Sequence, residues 1–194
     1  MKKLAALLVV VAGLALGALY VVRSEPPWFE RVRYPLRYQA IVRGHAHNYR
    51  LDPALLAAVI YQESKFDANA RSSSGAIGLM QLLPATAEGI ALHTGGTRFR
   101  LSDLDNPELN VRYGSWYLRH LREHYHGLPD ATTLALAAYN AGMANVDSWV
   151  AKTRPGQPLQ IPPAFAETRH YLDGIKHARS VYRRLYPGEL GLTK

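Results

Sequence analysis

The spacing of apolar residues limits this chain to helical architectures. Through most of the sequence apolar residues recur at intervals of three and four, and no stretch alternates apolar with polar residues for long enough to make a sheet strand. The first pattern places apolar side chains along one face of an α-helix, whereas a half-buried strand requires the second. We therefore predict a mainly α fold.

The N-terminus carries a long apolar run. Lys2 and Lys3 precede residues 4–22, which contain no charged side chain. A helix of about 20 apolar residues crosses a bilayer core, so we expect residues 1–23 to be an export segment that contacts the cytoplasmic membrane. The run exceeds the roughly 7–15 apolar residues of a cleaved signal peptide, which favours an uncleaved anchor. Residues 15–17 nevertheless form a possible small-x-small cleavage site, so both interpretations stay open.

Two prolines mark the end of this segment. Pro26 and Pro27 interrupt the apolar helix, so we expect residues 24–35 to form a juxtamembrane linker. A chain of 194 residues suits one domain with a hydrophobic core. We predict that this domain spans residues 36–187 and that residues 188–194 form a tail.

Composition excludes several kinds of site. The chain has no cysteine, so it contains no disulfide, thiolate metal site or cysteine nucleophile. Its eight histidines show no His-Glu-x-x-His or comparable spacing, and we predict neither a metal ion nor another cofactor. The formal net charge is +8, but the basic residues are scattered rather than gathered into a stripe with aromatics. An acidic wall polymer or an anionic lipid surface fits this charge better than a nucleic acid.

Capping residues and breakers locate the individual helices. Asp52 and Asn106 are typical N-caps, and each precedes a proline at the first helical position. The helix over residues 131–141 is apolar on every side, which predicts a central position in the domain, with Gly142 as C-cap. The proline-rich residues 155–163 are predicted to form a loop. The predicted helices cover residues 38–49, 52 to about 64, 84–93, 106–124, 131–141 and 165–185.

One acidic residue lies where the helical pattern requires an apolar one. Leu56, Val59 and Ile60 define the inward face of the second predicted helix. Glu63 continues that face. Burial and the nearby helix C-terminus both disfavour an anion, so the pKa of Glu63 is predicted to be raised, as a general acid requires. The alternative is a glutamate that ends the helix in solvent.

Four short motifs begin at this glutamate and follow one another in a fixed order. They read Glu-Ser at 63–64, Gly-Ala-Ile-Gly-Leu-Met-Gln at 75–81, Ala-Tyr-Asn-Ala-Gly at 138–142 and Glu-Thr-Arg-His-Tyr at 167–171. With these motifs the chain resembles the lytic transglycosylases of the soluble (SLT) type over about residues 36–185. The resemblance implies a lysozyme-like α-helical domain whose long cleft binds the glycan strand of peptidoglycan.

The resemblance also implies a reaction. Enzymes of this family cleave between N-acetylmuramic acid and N-acetylglucosamine without adding water, and they leave a 1,6-anhydromuramyl product. Glu63 would act first as acid and then as base. Ordinary glycosidases use two carboxylates, whereas an internal hydroxyl nucleophile makes the second unnecessary. Asp67 is the only other acid close to Glu63 in the sequence.

The same resemblance implies substrate-binding roles for residues in and around the motifs. Tyr139 would approach Glu63 or the substrate N-acetyl group, and Glu167 would recognise the muramyl or peptide part of the strand. For Tyr139 the alternative is a packing role, and for Glu167 an ion pair with Arg169 or another surface cation. Asn140 and Tyr171 are interpreted as structural. The implied substrate-binding residues are Ser72, Gly75, Met80, Gln81, Tyr139 and Glu167.

Within the glycine-rich segment the implied roles differ. Ser72 would contact the reacting sugar or the glutamate, and Gly75 would let the backbone approach the sugar. Met80 and Gln81 would line the cleft with an apolar surface and an amide, although packing alone also explains Met80. Leu83 stands where many family members carry methionine, which keeps an apolar wall but removes any sulfur contact.

Two rival functions share these features. Goose-type lysozymes have the same fold and a similarly placed glutamate but transfer the strand to water. A non-catalytic wall-binding scaffold would keep the cleft without turnover. In each case the partner is the peptidoglycan strand on the extracytoplasmic face of the membrane, either in a periplasm or in an outer wall.

Overall fold

The computed structural model describes residues 2–154, 157 and 159–192. The chain divides into two units, the first ending at Pro35 and the second beginning at Leu36. Within the described residues the regular elements are all helical, and β pairing is limited to isolated bridges of Ile77 with Arg71 and Leu82. The predicted mainly α fold is confirmed.

The first unit consists of two helices, α1 (Lys2–Ser24) and α2 (Pro27–Arg33). By length and apolar composition α1 qualifies as a membrane span, and none of its most apolar stretch is buried within the structure. A signal sequence has the same properties, so anchor and signal peptide both remain predictions. Helix α2 lies inside the segment expected to be a linker. Pro27 occupies its first turn, where a proline starts a helix rather than interrupting one.

The second unit holds the functional motifs. Its α-helices within the described residues are α3 (Gln39–Asn48), α4 (Pro53–Ser64), α5 (Pro84–His93), α6 (Pro107–His124), α7 (Ala131–Ala141), α8 (Met143–Lys152) and α9 (Ala166–Leu185). All six predicted helices are confirmed to within one or two residues. Of the predicted proline-rich loop, residues 155, 156 and 158 lie outside the described residues.

Helix α8 is absent from the sequence prediction. Gly142 was interpreted as a stop signal, and it does end α7, with φ at 86°. The same residue is also the N-cap of α8, so the chain turns once and continues as helix. A glycine C-cap marks the end of one helix but carries no information about whether another follows at once.

Side-chain caps explain where α4 and α6 begin. The Asp52 carboxylate accepts a hydrogen bond from the Ala54 backbone N–H at 3.0 Å and starts α4. The Asn106 side chain accepts from the N–H of Glu108 at 2.9 Å and starts α6. Each cap satisfies a donor that the first helical turn leaves free.

The core has two central helices rather than the single one predicted. Helix α7 is buried as expected, from Leu134 to Ala138. Helix α4 is at least as deep, because seven consecutive residues, 54–60, are all buried. It packs along α9 and α3, while α7 packs against α6, α8 and α9. Each fully buried leucine or isoleucine contributes about 1.5–3 kcal/mol, so the core holds the C-terminal end of α4 in a defined position.

Candidate active site

Glu63 lies in the last turn of α4, at the edge of this core. Its Oε1 accepts a hydrogen bond from the Tyr171 hydroxyl at 2.6 Å, a length typical of a charge-assisted bond. Burial raises the pKa of Glu63 to about 7, although the Tyr171 hydrogen bond and the charge of Lys65 both act to lower it. The prediction that Glu63 continues the inward face with a raised pKa is confirmed, and the solvent-exposed alternative is wrong.

Tyr171 reaches Glu63 from α9. Its ring is buried, and together with Ile175 and Ala178 it lies on the face of α9 that turns inward. Burial raises its pKa well above the ordinary value, and the Glu63 charge adds to this, so the hydroxyl remains a proton donor in the hydrogen bond. The sequence interpretation of Tyr171 as structural did not foresee this contact, in which its hydroxyl bonds directly to the Glu63 carboxylate.

Tyr139 lies near Glu63, as predicted, but its hydroxyl bonds to a different group. Its hydroxyl donates to the backbone carbonyl of Met80 at 2.8 Å rather than to Glu63. Its pKa is raised well above the ordinary value, first by burial and then by the Glu63 charge, which shows that the carboxylate is nearby. Tyr117 packs against Tyr139 with ring centroids 5.5 Å apart. Tyr139 therefore supports the glycine-rich segment beside Glu63.

Ser64 explains why a serine follows the glutamate. It is buried, and its hydroxyl donates to the carbonyl of Leu79 at 2.9 Å. This bond joins the end of α4 to the glycine-rich segment. The Glu-Ser pair thus combines an acid that faces the site with a hydroxyl that attaches the neighbouring loop.

Asn110 of α6 holds the glycine-rich segment from the other side. Its Oδ1 accepts from the Met80 N–H at 2.9 Å, and its Nδ2 donates to the Ile77 carbonyl at 2.9 Å. Gly78 is required for this approach, because a Cβ there would lie 2.2 Å from Asn110 Nδ2 and φ is 79°. Asn110 was missed in the sequence because no motif or charge pattern distinguishes it from a surface residue of α6.

Met80 does not line the cleft as predicted. Its side chain is fully buried and packs against Gly114, where a Cβ would be only 2.4 Å from the sulfur. The packing alternative is therefore correct for Met80. Gly114 therefore permits close packing of α6 against the glycine-rich segment.

Gln81 and Ser72 contribute mainly to the shape of their loop. The Gln81 amide nitrogen donates to the carbonyls of Ala70 at 3.2 Å and Gly78 at 2.9 Å, so only the side-chain oxygen is left to accept from a sugar hydroxyl. The Ser72 hydroxyl accepts from the Ala76 N–H at 3.0 Å. That bond closes a turn at whose exposed tip Gly75 has φ of 82°. Ser72 and Gly75 therefore form one tight turn.

Glu167 is exposed in the first turn of α9, four residues before Tyr171. This spacing places both side chains on the same side of the helix, one turn apart. The alternative ion pair with Arg169 is wrong, since Arg169 donates to the carbonyls of Ile161 and Pro162 instead. Its neighbour Thr168 donates to Asn140 Oδ1 at 2.8 Å, which agrees with a structural role for Asn140.

Charge around Glu63 comes from one lysine. Lys65 is exposed, and its ammonium lies 4.0 Å from the centre of the Tyr61 ring. Desolvation lowers the pKa of Lys65, while the Glu63 carboxylate opposes that change. Among the residues that the structure describes, no three His, Asp or Glu side chains form a group able to hold a metal ion. The titratable groups that the structure joins at the site are the Glu63 carboxyl group and the Tyr171 hydroxyl.

Comparisons with known proteins place the chain in a family context. The family model described as "Transglycosylase SLT domain" matches residues 40–159, which is more than half of the chain. A putative soluble lytic murein transglycosylase of Haemophilus influenzae is 32% identical over 149 residues, which cover 74% of this chain and 24% of that protein. Membrane-bound lytic murein transglycosylase C of Serratia proteamaculans is 30% identical over 168 residues, covering 76% of this chain and 47% of that protein. The chain thus spans from about a quarter to about half of the length of these relatives.

Solved structures give the same picture. An inactive mutant of the lytic transglycosylase Slt of Pseudomonas aeruginosa, with a glutamate replaced by glutamine, aligns at a TM-score of 0.72 and 31% identity, over 84% of this chain and 26% of that one. The 70 kDa soluble lytic transglycosylase of Escherichia coli aligns at 0.69 and 23% identity, over 86% of this chain and 27% of that one. The predicted lysozyme-like fold class is confirmed.

Proposed function

Because the chain belongs to the transglycosylase SLT domain family, we propose that it is a peptidoglycan lytic transglycosylase that cleaves the β-1,4 bond between N-acetylmuramic acid and N-acetylglucosamine. The observation that carries this proposal is the state of Glu63, a partly buried carboxyl group with a pKa of about 7 and a single tyrosine partner. The Pseudomonas aeruginosa relative that is inactive with a glutamate changed to glutamine supports it.

In the first step Glu63 acts as general acid. With a pKa near neutrality the carboxyl group is protonated in a large fraction of molecules, and an acid is most effective when its pKa lies near the working pH. It donates its proton to the glycosidic oxygen, and the bond from that oxygen to C1 of the muramyl sugar breaks. The N-acetylglucosamine side leaves as an alcohol, and positive charge develops at C1.

In the second step the same carboxylate acts as base. It takes the proton of the muramyl C6 hydroxyl, and the oxygen of that hydroxyl forms a bond to C1. The result is a 1,6-anhydro ring, and Glu63 is protonated again without any gain or loss of water. A second carboxylate is not needed, and Asp67 supports this because it is exposed and accepts the Asn69 N–H at 2.9 Å.

Tyr171 orients the Glu63 carboxylate and adjusts its pKa for both steps. Its hydroxyl donates to Oε1 of Glu63, which fixes the orientation of the group and leaves Oε2 for the substrate. The hydrogen bond also stabilises the anion that exists between the two steps. The balance between burial, which raises the pKa, and this bond, which lowers it, holds Glu63 near neutrality.

Substrate binding is assigned to the exposed groups around Glu63. Gly75 at the tip of its turn offers backbone to the strand, and Leu83, 44% exposed, offers an apolar wall. Glu167 lies one turn from Tyr171 and would accept hydrogen bonds from the muramyl group or its peptide. Ser72, Gln81 and Tyr139 shape the loop that contacts the sugar, and Met80 supports it from below.

The place of action follows from α1. We assign it as an anchor that holds residues 36–187 on the extracytoplasmic face of the membrane, because it is long, apolar and unburied. Membrane-bound relatives support this assignment. Mass spectrometry of the protein extracted from membranes tests it, since a mature chain that begins after residue 17 would identify a cleaved signal peptide.

Digestion of purified peptidoglycan tests the reaction itself. A transglycosylase releases fragments whose mass is one water lower than that of the corresponding hydrolytic fragments. Products that all carry a reducing end would overturn the proposal in favour of a lysozyme-type hydrolase. Strand binding without any released fragment would instead identify a wall-binding scaffold.

A further inference from the structure

A separate pocket opens on another side of α6 from the one that faces Glu63. Tyr117 packs on Tyr139, next to the catalytic carboxylate, whereas the preceding residue, Trp116, lines this pocket. Successive residues of an α-helix point about 100° apart, so the two rings face different directions. The lining of the pocket includes Tyr49, Gly95, Gly96, Arg112, Tyr113 and Trp116.

Three polar groups in this lining have no protein partner. Across the described part of the chain, no hydrogen bond is made by the hydroxyls of Tyr49 and Tyr113 or by the indole N–H of Trp116. Side-chain donors of tyrosine and tryptophan usually find a partner when they are partly buried. A pocket that gathers three of them is therefore suited to a ligand rich in hydroxyl and amide groups.

Arg112 adds a positive charge that is in no ion pair within the described residues. It is exposed, and its guanidinium carbon lies 5.5 Å from the centre of the Tyr113 ring. Burial raises the pKa of Tyr49, and the positive charge of Arg112 opposes that rise. The charge of Arg112 therefore acts on Tyr49, another residue of the pocket lining. The Asp103 carboxylate, which lines the adjoining pocket together with Arg112, accepts the Arg100 N–H at 2.8 Å and forms no ion pair with Arg112. The pocket therefore favours an anion, and a carboxylate matches the guanidinium fork.

The shape of the pocket is defined by two glycines and a stacked indole. A Cβ on Gly96 would lie 2.8 Å from the Tyr113 hydroxyl, so any side chain there would displace that group. Gly95 has φ of 75° and leaves the rim open. The Trp116 ring is parallel to His120 within 5°, with centroids 5.1 Å apart, which fixes its orientation.

We propose that this pocket binds a saccharide that carries a carboxylate. Arg112 pairs with the carboxylate, Tyr49 and Tyr113 bond to sugar hydroxyls, and the apolar face of the pyranose packs on Trp116. The identity of the sugar rests on the proposed function. Within peptidoglycan the match is N-acetylmuramic acid, whose lactyl group ends in a carboxylate once the peptide has been removed. Such a site would keep the enzyme on the wall independently of cleavage.

The indole N–H signals of the protein provide the test. The chain has three tryptophans, so full-length protein labelled with ¹⁵N-tryptophan in detergent micelles shows three such signals, and Trp116→Phe identifies the one from the pocket. Titration with N-acetylmuramic acid is expected to shift that signal and to leave the other two unchanged. Acetate, which lacks the sugar, and N-acetylglucosamine, which lacks the carboxylate, are expected to produce much weaker shifts.

Matched variants connect the shift to Arg112. Arg112→Gln is expected to weaken binding of N-acetylmuramic acid about tenfold or more, the usual effect of losing a charged hydrogen bond. Lys152→Gln removes one positive charge elsewhere on the surface and should bind as the unaltered protein does. The unshifted indole signal of Trp149, which is buried in the same unit as the pocket, reports that each variant is folded.

Two results overturn the proposal: no shift of the Trp116 signal with N-acetylmuramic acid, or an equal shift with N-acetylglucosamine. Glu63→Gln separates this proposal from the proposed function. Binding at the pocket should survive in that variant even though the cleavage proposed for Glu63 should not. Failure of the Trp116 titration would leave the peptidoglycan product masses as an independent test of the reaction.

Discussion

The two ends of α4 carry one carboxylate each, and the protein uses them in opposite ways. Asp52 at the N-terminus caps the helix, lies at the favourable end of the helix dipole and pairs with Arg179 at 2.6 Å and Arg183 at 3.4 Å. Glu63 near the C-terminus has an unfavourable dipole, no arginine and a pKa raised by burial. The same functional group therefore stabilises the fold at one end and has a raised pKa at the other, as the proposed proton transfer requires.

Helix α9 creates much of this difference. It runs alongside α4 and supplies Arg179 and Arg183 near Asp52, but Tyr171 near Glu63. An arginine beside Glu63 would lower its pKa and leave it permanently ionised. A tyrosine hydroxyl also orients the carboxylate, but it lowers the pKa of Glu63 less than an arginine would. The pKa therefore stays in the range that a general acid needs.

The largest expected effect is on turnover when Glu63 is changed. Glu63→Gln keeps the shape of the side chain but cannot transfer a proton, so peptidoglycan cleavage should fall by about 10²–10⁴-fold. Release of soluble fragments per unit time measures this. Asp52→Asn is the matched control at the other end of α4, and its cleavage rate at a temperature where it is folded should stay within about threefold of the unaltered rate. Equal losses in the two variants would contradict the division of roles.

The next effect concerns stability and pH. The pKa of Glu63 rises from 4.5 to about 7 on folding, so the folded state binds the proton more tightly. Stability relative to Glu63→Gln should then decline as pH rises from about 4.5 to 7, by up to about 3 kcal/mol at 1.36 kcal/mol per unit of pKa. Urea unfolding of both proteins at pH 5 and pH 8 measures the difference. A difference that does not change with pH would mean that Glu63 is not buried as described.

A smaller loss of stability is expected at the capping end. Asp52→Ala removes the N-cap and leaves Arg179 without its carboxylate partner, which should lower the free energy of unfolding by about 1–2 kcal/mol. The midpoint and slope of urea unfolding measure it. Asp67→Ala, an exposed carboxylate outside any helix, should cost clearly less. If the two variants unfold alike, the cap contributes little.

The smallest effect separates the two tyrosines. Tyr171→Phe removes the hydrogen bond that lowers the pKa of Glu63, so the pH at which cleavage declines on the alkaline side should move upward. The maximal rate should fall about tenfold, in keeping with the loss of one charged hydrogen bond. Tyr139→Phe, whose hydroxyl bonds to the Met80 carbonyl, should leave that pH unchanged. A shift with Tyr139→Phe alone would reverse these assignments.

Features that depend on neighbouring residues could be predicted from the sequence. Asp52 and Asn106 cap their helices as expected, because an N-cap bonds to backbone groups two or three residues away. Glu63 is partly buried, as predicted from its position after the apolar residues of α4. Helix α8 was not predicted, because Gly142 is both the C-cap of α7 and the N-cap of α8. A glycine after a helix does not show in the sequence whether a second helix follows.

Features that depend on how segments cross were decided only by the tertiary structure. The glycine-rich segment has no regular spacing of apolar residues. Its sequence therefore does not indicate whether the Met80 side chain faces the cleft or packs against Gly114. Tyr139 and Tyr171 each belong to one of the four motifs, and each lies on an apolar face of its helix. Which hydroxyl reaches Glu63 depends on the packing of α9 against α4.

The sequence by itself therefore determined the helices, the inward direction of Glu63 and the order of the motifs, since helix formation and side-chain direction follow from contacts a few residues apart. The tertiary structure decided the partner of Glu63, the burial of Met80 and the role of Asn110. These depend on contacts between residues that are tens of positions apart, as in the pair formed by Tyr171 and Glu63, and no local pattern records them.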